Sequence, residues 1–251
     1  MRSNNPFKVH GINYLSPSSI NTYINDTPMW VARYLFGVKS PSGASAVRGI
    51  ATEFALANKY EKKAQAFDFN LLDVKFMSLC AESGVDLGDV KTAREKKLLK
   101  GFGTVIDENF DYDNLEAYQE KVEVKYDDLP VPIMGYIDFR FSDKIVDLKT
   151  TTRMPSKPTE AQKRQMAFYS MAYPKNSVDL FFATPKEYKK FTLKNLSAYK
   201  KQLVKVALGI QKFLSISDDK HELASFLFPN FDSWMWSGDM KDEAKKIWSV
   251  K

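Results

Sequence analysis

The stretch from Lys121 to Thr150, KVEVKYDDLPVPIMGYIDFRFSDKIVDLKT, alternates apolar and polar residues in three successive runs. A period of two belongs to strands that bury one face. Three such runs with short connections predict an antiparallel meander. If Ser142 and Asp143 form a two-residue turn, Phe141 faces Lys144, Arg140 faces Ile145, Phe139 faces Val146 and Asp138 faces Asp147. Lys149, two residues beyond Asp147, then shares its face.

That register sets a problem in electrostatics. Cross-strand neighbours have Cβ atoms about 5 Å apart. Two carboxylates at that distance repel by about 3 kcal/mol at an effective dielectric near ~20. A divalent cation between them would remove the repulsion, and oxygen ligands suit magnesium or manganese. Lys149 would then hold a phosphate or polarise an attacking water, which makes the strand face a candidate site for phosphodiester cleavage. Taken alone, Asp-x-Lys equally describes a solvated strand face, and a longer turn would shift the pairing.

Around the meander the apolar spacing is helical. Ser16 with Pro17 opens one short helix. Asp26 or Thr27 with Pro28 opens a second that ends at Gly37. After the loop VKSPSG comes a longer helix with Gly49 inside it, and a glycine there implies close packing or a bend. Residues 68–110 read as two helices split near SGVDLGD. Beyond the meander the order is a helix stopping before Pro174, strands in SVDLFFATP and YKKFTL, and an amphipathic helix from Ser197. Last comes a loop containing Trp234 and Trp236, then a final helix. A meander, a crossover helix and a further strand, wrapped in helices, define an α/β layout with a mixed sheet.

Composition narrows the setting. Apolar residues form 44% of the 251 and aromatics 14%, enough for a large core and unlike a disordered chain. Lys and Arg exceed Asp and Glu by 37 to 31, a modest positive balance compatible with a nucleic-acid partner. The lone cysteine, Cys80, excludes an internal disulfide framework and a four-cysteine cluster. The opening MRSNNPFKVHGINY has no apolar secretory core, and no run approaches the ~18 apolar residues of a membrane span. The expectation is a soluble cytoplasmic protein with no membrane partner.

The motifs together resemble the PD-(D/E)XK nuclease superfamily, in particular its RecB-like exonuclease branch. LSPSSINTYINDTPMWVARYLFG resembles the opening Ser-x-Ser segment and its aromatic helix, RGIATEFA the helix that carries Glu53, GYIDF the strand that carries Asp138, and IVDLKT the Asp147–Lys149 pair. QMAFY resembles the Gln-x-x-x-Tyr helix through Gln165 and Tyr169. The segments occur in the family's order between about Leu15 and Thr184. Glu53 stands where many RecB-like members carry histidine, no helicase motif is present, and the lone cysteine excludes the iron–sulfur branch. The chain in these respects looks like small stand-alone exonucleases of phages and of mitochondrial genome maintenance, which for a phage protein would mean the host cytoplasm.

The resemblance implies a restriction-endonuclease-like α/β core, a mixed sheet flanked by helices, with helical additions at both ends. It implies one nuclease domain over residues 1–251: a mainly helical part at 1–110 with Glu53, the catalytic sheet and Gln-x-x-x-Tyr helix at 119–185, and a strand with C-terminal helices at 186–251. Glu53, Asp138, Asp147 and the Leu148 carbonyl would bind Mg2+ or Mn2+, with Lys149 as the fourth catalytic residue. Gln165 and Tyr169 share a helix face and would contact DNA, together with Arg153, Lys157, Arg164 and Ser16; Lys163 belongs to the same basic cluster. Tyr23, Trp30 and Tyr34 are either base-stacking platforms or core. Ser16 is also simply a cap, Tyr169 simply core, and Glu53 simply an exposed helical residue. The expected partner is DNA that is single-stranded or has a free end. An endonuclease of the same fold and a non-cleaving DNA-end binder are the competing readings.

Overall fold

The structure is a computed structural model and describes residues 5–39, 42–233, 235–236 and 238–249. Part of the VKSPSG loop, Ser40 and Pro41, and the expected loop residue Trp234 lie outside the described residues. Five strands form one sheet in the order β1 (Leu115–Tyr126), β2 (Leu129–Phe141), β3 (Lys144–Thr150), β4 (Ser177–Ala183) and β5 (Tyr188–Leu193). β3 and β4 are parallel; the other neighbouring pairs are antiparallel. The parallel step requires a crossover, which α7 (Glu160–Ala172) supplies between β3 and β4. This is the restriction-endonuclease-like mixed sheet flanked by helices.

Local chemistry explains most helix starts. α1 (Pro6–Val9) precedes α2 (Pro17–Asn25), which Ser16 caps by accepting from the Ser19 N–H at 3.0 Å. α3 (Thr27–Trp30) is capped by Asp26, which accepts from the Met29 N–H at 2.9 Å. The expected helix to Gly37 is α-helical only to Trp30; Val31–Leu35 continue as a π-helical turn before Gly37, at φ +72°, closes the segment. α4 (Ala44–Glu61) carries Gly49, where an added Cβ would sit 3.3 Å from Thr150 Oγ1. Close approach to the end of β3 is therefore the reason for that glycine. α5 (Phe69–Glu82) and α6 (Val90–Asn109) divide at Gly84, which has φ +67°. α8 (Ser197–Leu214), α9 (Lys220–Ser225) and α10 (Gly238–Ile247) complete the chain.

The sheet separates two cores. On one side Phe139, Phe141, Val146, Leu148 and Phe181 pack with α4, α5 and α6. On the other, Val122, Ile133, Ile137, Ile145 and Leu180 pack with α2, α7 and α8. The β1–β2 ribbon changes sides partway along. Tyr118 packs into the first core, whereas Val122 and Val124, of the same alternation, pack into the second. On β2 the change falls between Ile137 and Phe139. Gln119 and Asp138 lie at this crossing.

Candidate active site

The β2–β3 pairs Phe139–Val146 and Arg140–Ile145 match the register expected from a two-residue turn. One step further, where the register sets Asp138 against Asp147, the two strands cease to pair. The carboxylates thus stand at the fork of a splayed hairpin. α7 fills the fork: an added Cβ on Gly135 would lie 2.9 Å from the Phe168 ring. The Tyr169 hydroxyl donates to the Tyr136 carbonyl at 2.5 Å and accepts from Gln165 Nε2 at 2.9 Å.

Asp147 is fully buried and Asp138 nearly so. Lys149 Nζ lies 2.9 Å from Asp147 Oδ1 and 2.7 Å from Oδ2. Its ammonium is directed at Oδ1; Oδ2 receives its charge but no directed hydrogen bond. Glu53, half-buried on α4, accepts from Gln119 Nε2, which also reaches Asp138 Oδ1 at 3.5 Å. Burial pushes the Asp138 carboxyl well above its ordinary range, and Asp147 and Glu53 push it further. Burial raises Glu53 as well, against the Gln119 hydrogen bond and the Lys149 charge. Burial alone would lower Lys149, but Asp147, Asp138 and Glu53 outweigh it and hold the ammonium charged.

Among the described residues no group of three His, Cys, Asp or Glu side chains stands in ready metal-binding geometry. The donor set nonetheless suits a hard divalent cation. It offers carboxylate oxygens with raised proton affinity and one buried oxygen, Asp147 Oδ2, that lacks a directed partner. Leu148 lies between Asp147 and Lys149 on β3, with its side chain in the α4–α6 core.

The expected DNA-contacting residues divide. Arg153 and Lys157 are exposed in the segment between β3 and α7. Arg164 is buried, with Nε on Asn21 Oδ1 at 2.6 Å and Nη1 on Gln202 Oε1 at 3.4 Å. It ties α7 to α2 and α8 and is not free to track a phosphate backbone. Lys163 is held by Glu160 at 2.8 Å and the Tyr199 hydroxyl at 3.2 Å. Tyr169 is 3% exposed, so its ring cannot stack on a base. Trp30 is fully buried, with Tyr23 and Tyr34 packed on it at ring separations of 5.4 and 5.7 Å. Trp30 is core, and Tyr169 is buried at the base of the cleft that Gln165 lines. Ser16 is a helix cap, yet it and Gln165 also line one cleft of about 260 Å³ with Tyr14, Met134 and Tyr136.

Two neighbours of the site were not anticipated. Arg48, buried on α4, pairs with Glu95 of α6 and donates to the Thr150 carbonyl at 3.1 Å, one residue past Lys149. Gln119 is the other. An arginine in an amphipathic helix and a glutamine in a strand carry no pattern that would single them out.

The sequence profile of the PD-(D/E)XK nuclease superfamily matches residues 14–225. The chain belongs to the PD-(D/E)XK nuclease superfamily. A solved structure from Eubacterium rectale, which carries the provisional name of exonuclease, superposes with TM-score 0.58 at 12% identity, over 91% of this chain and 88% of its own. That likeness is one of fold. A second solved structure, SSO0001, superposes at TM-score 0.34 with 15% identity over 78% of this chain and 83% of its own, too loosely to carry an argument. No curated protein matches the chain. No helix among the described residues is long and apolar enough to cross a membrane.

Proposed function

We propose that the chain is a metal-dependent DNA exonuclease of the RecB-like branch, acting as one nuclease unit in the cytoplasm. The observation that supports it most is the meeting of Glu53, Asp138, Asp147 and Lys149 at the fork between β2 and β3, within a chain of this superfamily. Glu53, Asp138, Asp147 and the Leu148 carbonyl would hold Mg2+ or Mn2+, which when bound supplies a water of lowered pKa and a counter-charge for the leaving oxygen.

The chain's own groups do the remaining work. Lys149 is held protonated by three carboxylates, so it acts as a cation and hydrogen-bond donor rather than as a base. It orients the attacking water and stabilises charge developing on the phosphoryl oxygens. Asp147, fixed by Lys149 and by burial, keeps its carboxylate at one position without reorganisation. Arg153 and Lys157, exposed beside β3, are placed to hold the incoming phosphate backbone. Gln165 and Ser16, on the rim of the cleft beside Tyr136, are placed to contact the strand next to the scissile bond.

The substrate is DNA with a free end, with single strands preferred, whose backbone the exposed Arg153 and Lys157 beside β3 are placed to track. The test compares linear with covalently closed circular single strands of one sequence, in Mg2+ and in EDTA. Linear strands should be degraded in Mg2+ alone while circles persist. Rapid nicking of circles would replace this reading with an endonuclease using the same residues. Tight end binding with no cleavage in either metal would leave a DNA-end binder.

A further inference from the structure

We propose that Gln119 is a positioning residue that aims Glu53 and Asp138 at a common cation, and that β1 is held in an unfavourable backbone conformation to place it. The proposal rests on the metal-site reading above and adds a residue to it.

Gln119 has φ +50°, a left-handed conformation that glycine adopts freely and glutamine seldom does. It occurs inside a strand whose pairing is unbroken on both sides: Tyr118 pairs with Phe139 and Glu120 with Ile137, so Gln119 lies across from Asp138. The ladder shows register shifts only near its two ends, between Leu115 and Ala117 and between Val124 and Tyr126. No extra residue has to be accommodated at Gln119, so the left-handed residue is not a bulge. What the conformation accomplishes is visible in the side chain. The Gln119 amide donates to Glu53 Oε1 and reaches Asp138 Oδ1 at 3.5 Å, bridging a helix residue and a strand residue. The crossing of the β1–β2 ribbon from one core to the other falls at the same point. Strain that persists at a functional site is held by what it positions. A glutamine amide suits the task, since as a neutral donor it orients a carboxylate without competing with a cation for its charge.

The test uses Gln119→Gly, which removes the amide and relieves the backbone, measured against Glu53→Gln and the double variant. The readouts are thermal midpoint in EDTA and Mn2+ affinity by calorimetry, with no DNA present. Gln119→Gly should melt higher than the parent, by roughly 2–4 °C, while binding Mn2+ about tenfold more weakly. In the Glu53→Gln background the same substitution should cost less affinity than in the parent, because part of what Gln119 does is to hold Glu53. Gln119→Asn, which tolerates the left-handed region and keeps a donor, should recover part of the loss. Unchanged Mn2+ affinity in Gln119→Gly, or a loss that adds in full on top of Glu53→Gln, would overturn the proposal while leaving the metal site standing. A parent that binds no Mn2+ would overturn the metal-site reading itself, and the proposal with it.

Discussion

Asp138 shows how one buried carboxyl links the site to stability. Its folded-state proton affinity is raised by burial, then by Asp147 and Glu53. A carboxyl raised in the folded state favours folding most below its unfolded value near ~4, and that contribution is lost as pH rises through the raised value. Without metal, Asp138→Asn should therefore melt above the parent at about pH 8, and the gap should close as pH falls toward about 4. The gap at about pH 8 should be large enough to read directly as a higher thermal midpoint of the variant. In Mg2+ the parent should gain more than the variant if Asp138 binds the cation as proposed. Melts in EDTA and Mg2+ across that range check this, and a gap independent of pH would contradict it. Lys149→Ala removes the only cation in contact with fully buried Asp147 among the ion pairs of the described residues. Metal-free stability should fall by about 3–5 kcal/mol, and single-turnover cleavage by at least ~100-fold, with DNA affinity nearly unchanged. Normal turnover with weakened binding would make Lys149 a phosphate contact only. The register that brings Asp138, Asp147 and Lys149 together was legible because alternation and a short turn are local rules. Gln119 was not, because a left-handed glutamine has no signature in the residues around it.

Among the elements, α7 is the one whose role the sequence left open. Gln165 and Tyr169 are one helical turn apart, which puts them on one face but does not say whether that face looks in or out. The fork between β2 and β3 decides it: β2 leaves its partner there, and the Tyr169 hydroxyl takes up the Tyr136 carbonyl at 2.5 Å. Tyr169→Phe should accordingly cost about 1–3 kcal/mol in urea unfolding and leave DNA affinity within about twofold. A large loss of DNA affinity without a loss of stability would restore Tyr169 as a DNA contact. The tie that Arg164 makes between helices was hidden for the same reason, since a basic cluster read along the chain says nothing of Asn21, which holds Arg164 Nε at 2.6 Å. The π-helical turn Val31–Leu35 was also missed, because its spacing of apolar residues is close to that of the α-helix expected there. Helices with caps and glycine stops, such as α2 and the α5–α6 break at Gly84, were placed well because their signals are short-range.

At the scale of the molecule, the two large cores share the sheet between them, whereas a third, smaller cluster stands apart from it. Met29, Ala32 and Val38 pack there with Trp236, Met240 and Ala244 from the far end of the chain. Nothing local in the sequence announces this return, although a final helix after a tryptophan-bearing loop was expected and α10 supplies it. The joint is specific as well as apolar: Trp236 Nε1 donates to Asp26 Oδ2 at 3.0 Å, while Asp26 Oδ1 caps α3. Trp236→Ala thus removes a 3%-exposed side chain and loosens a helix cap at once. A substitution of this kind costs about 3–5 kcal/mol in a core. The cluster contains no sheet residue, so the cost should appear as local opening rather than global unfolding. Hydrogen exchange should lose protection in residues 27–39 and in α10, while β2, β3 and α7 keep theirs and metal-dependent cleavage stays within about twofold of the parent. Uniform loss of protection across the sheet would mean that the C-terminal segment is part of one cooperative unit with the active-site core.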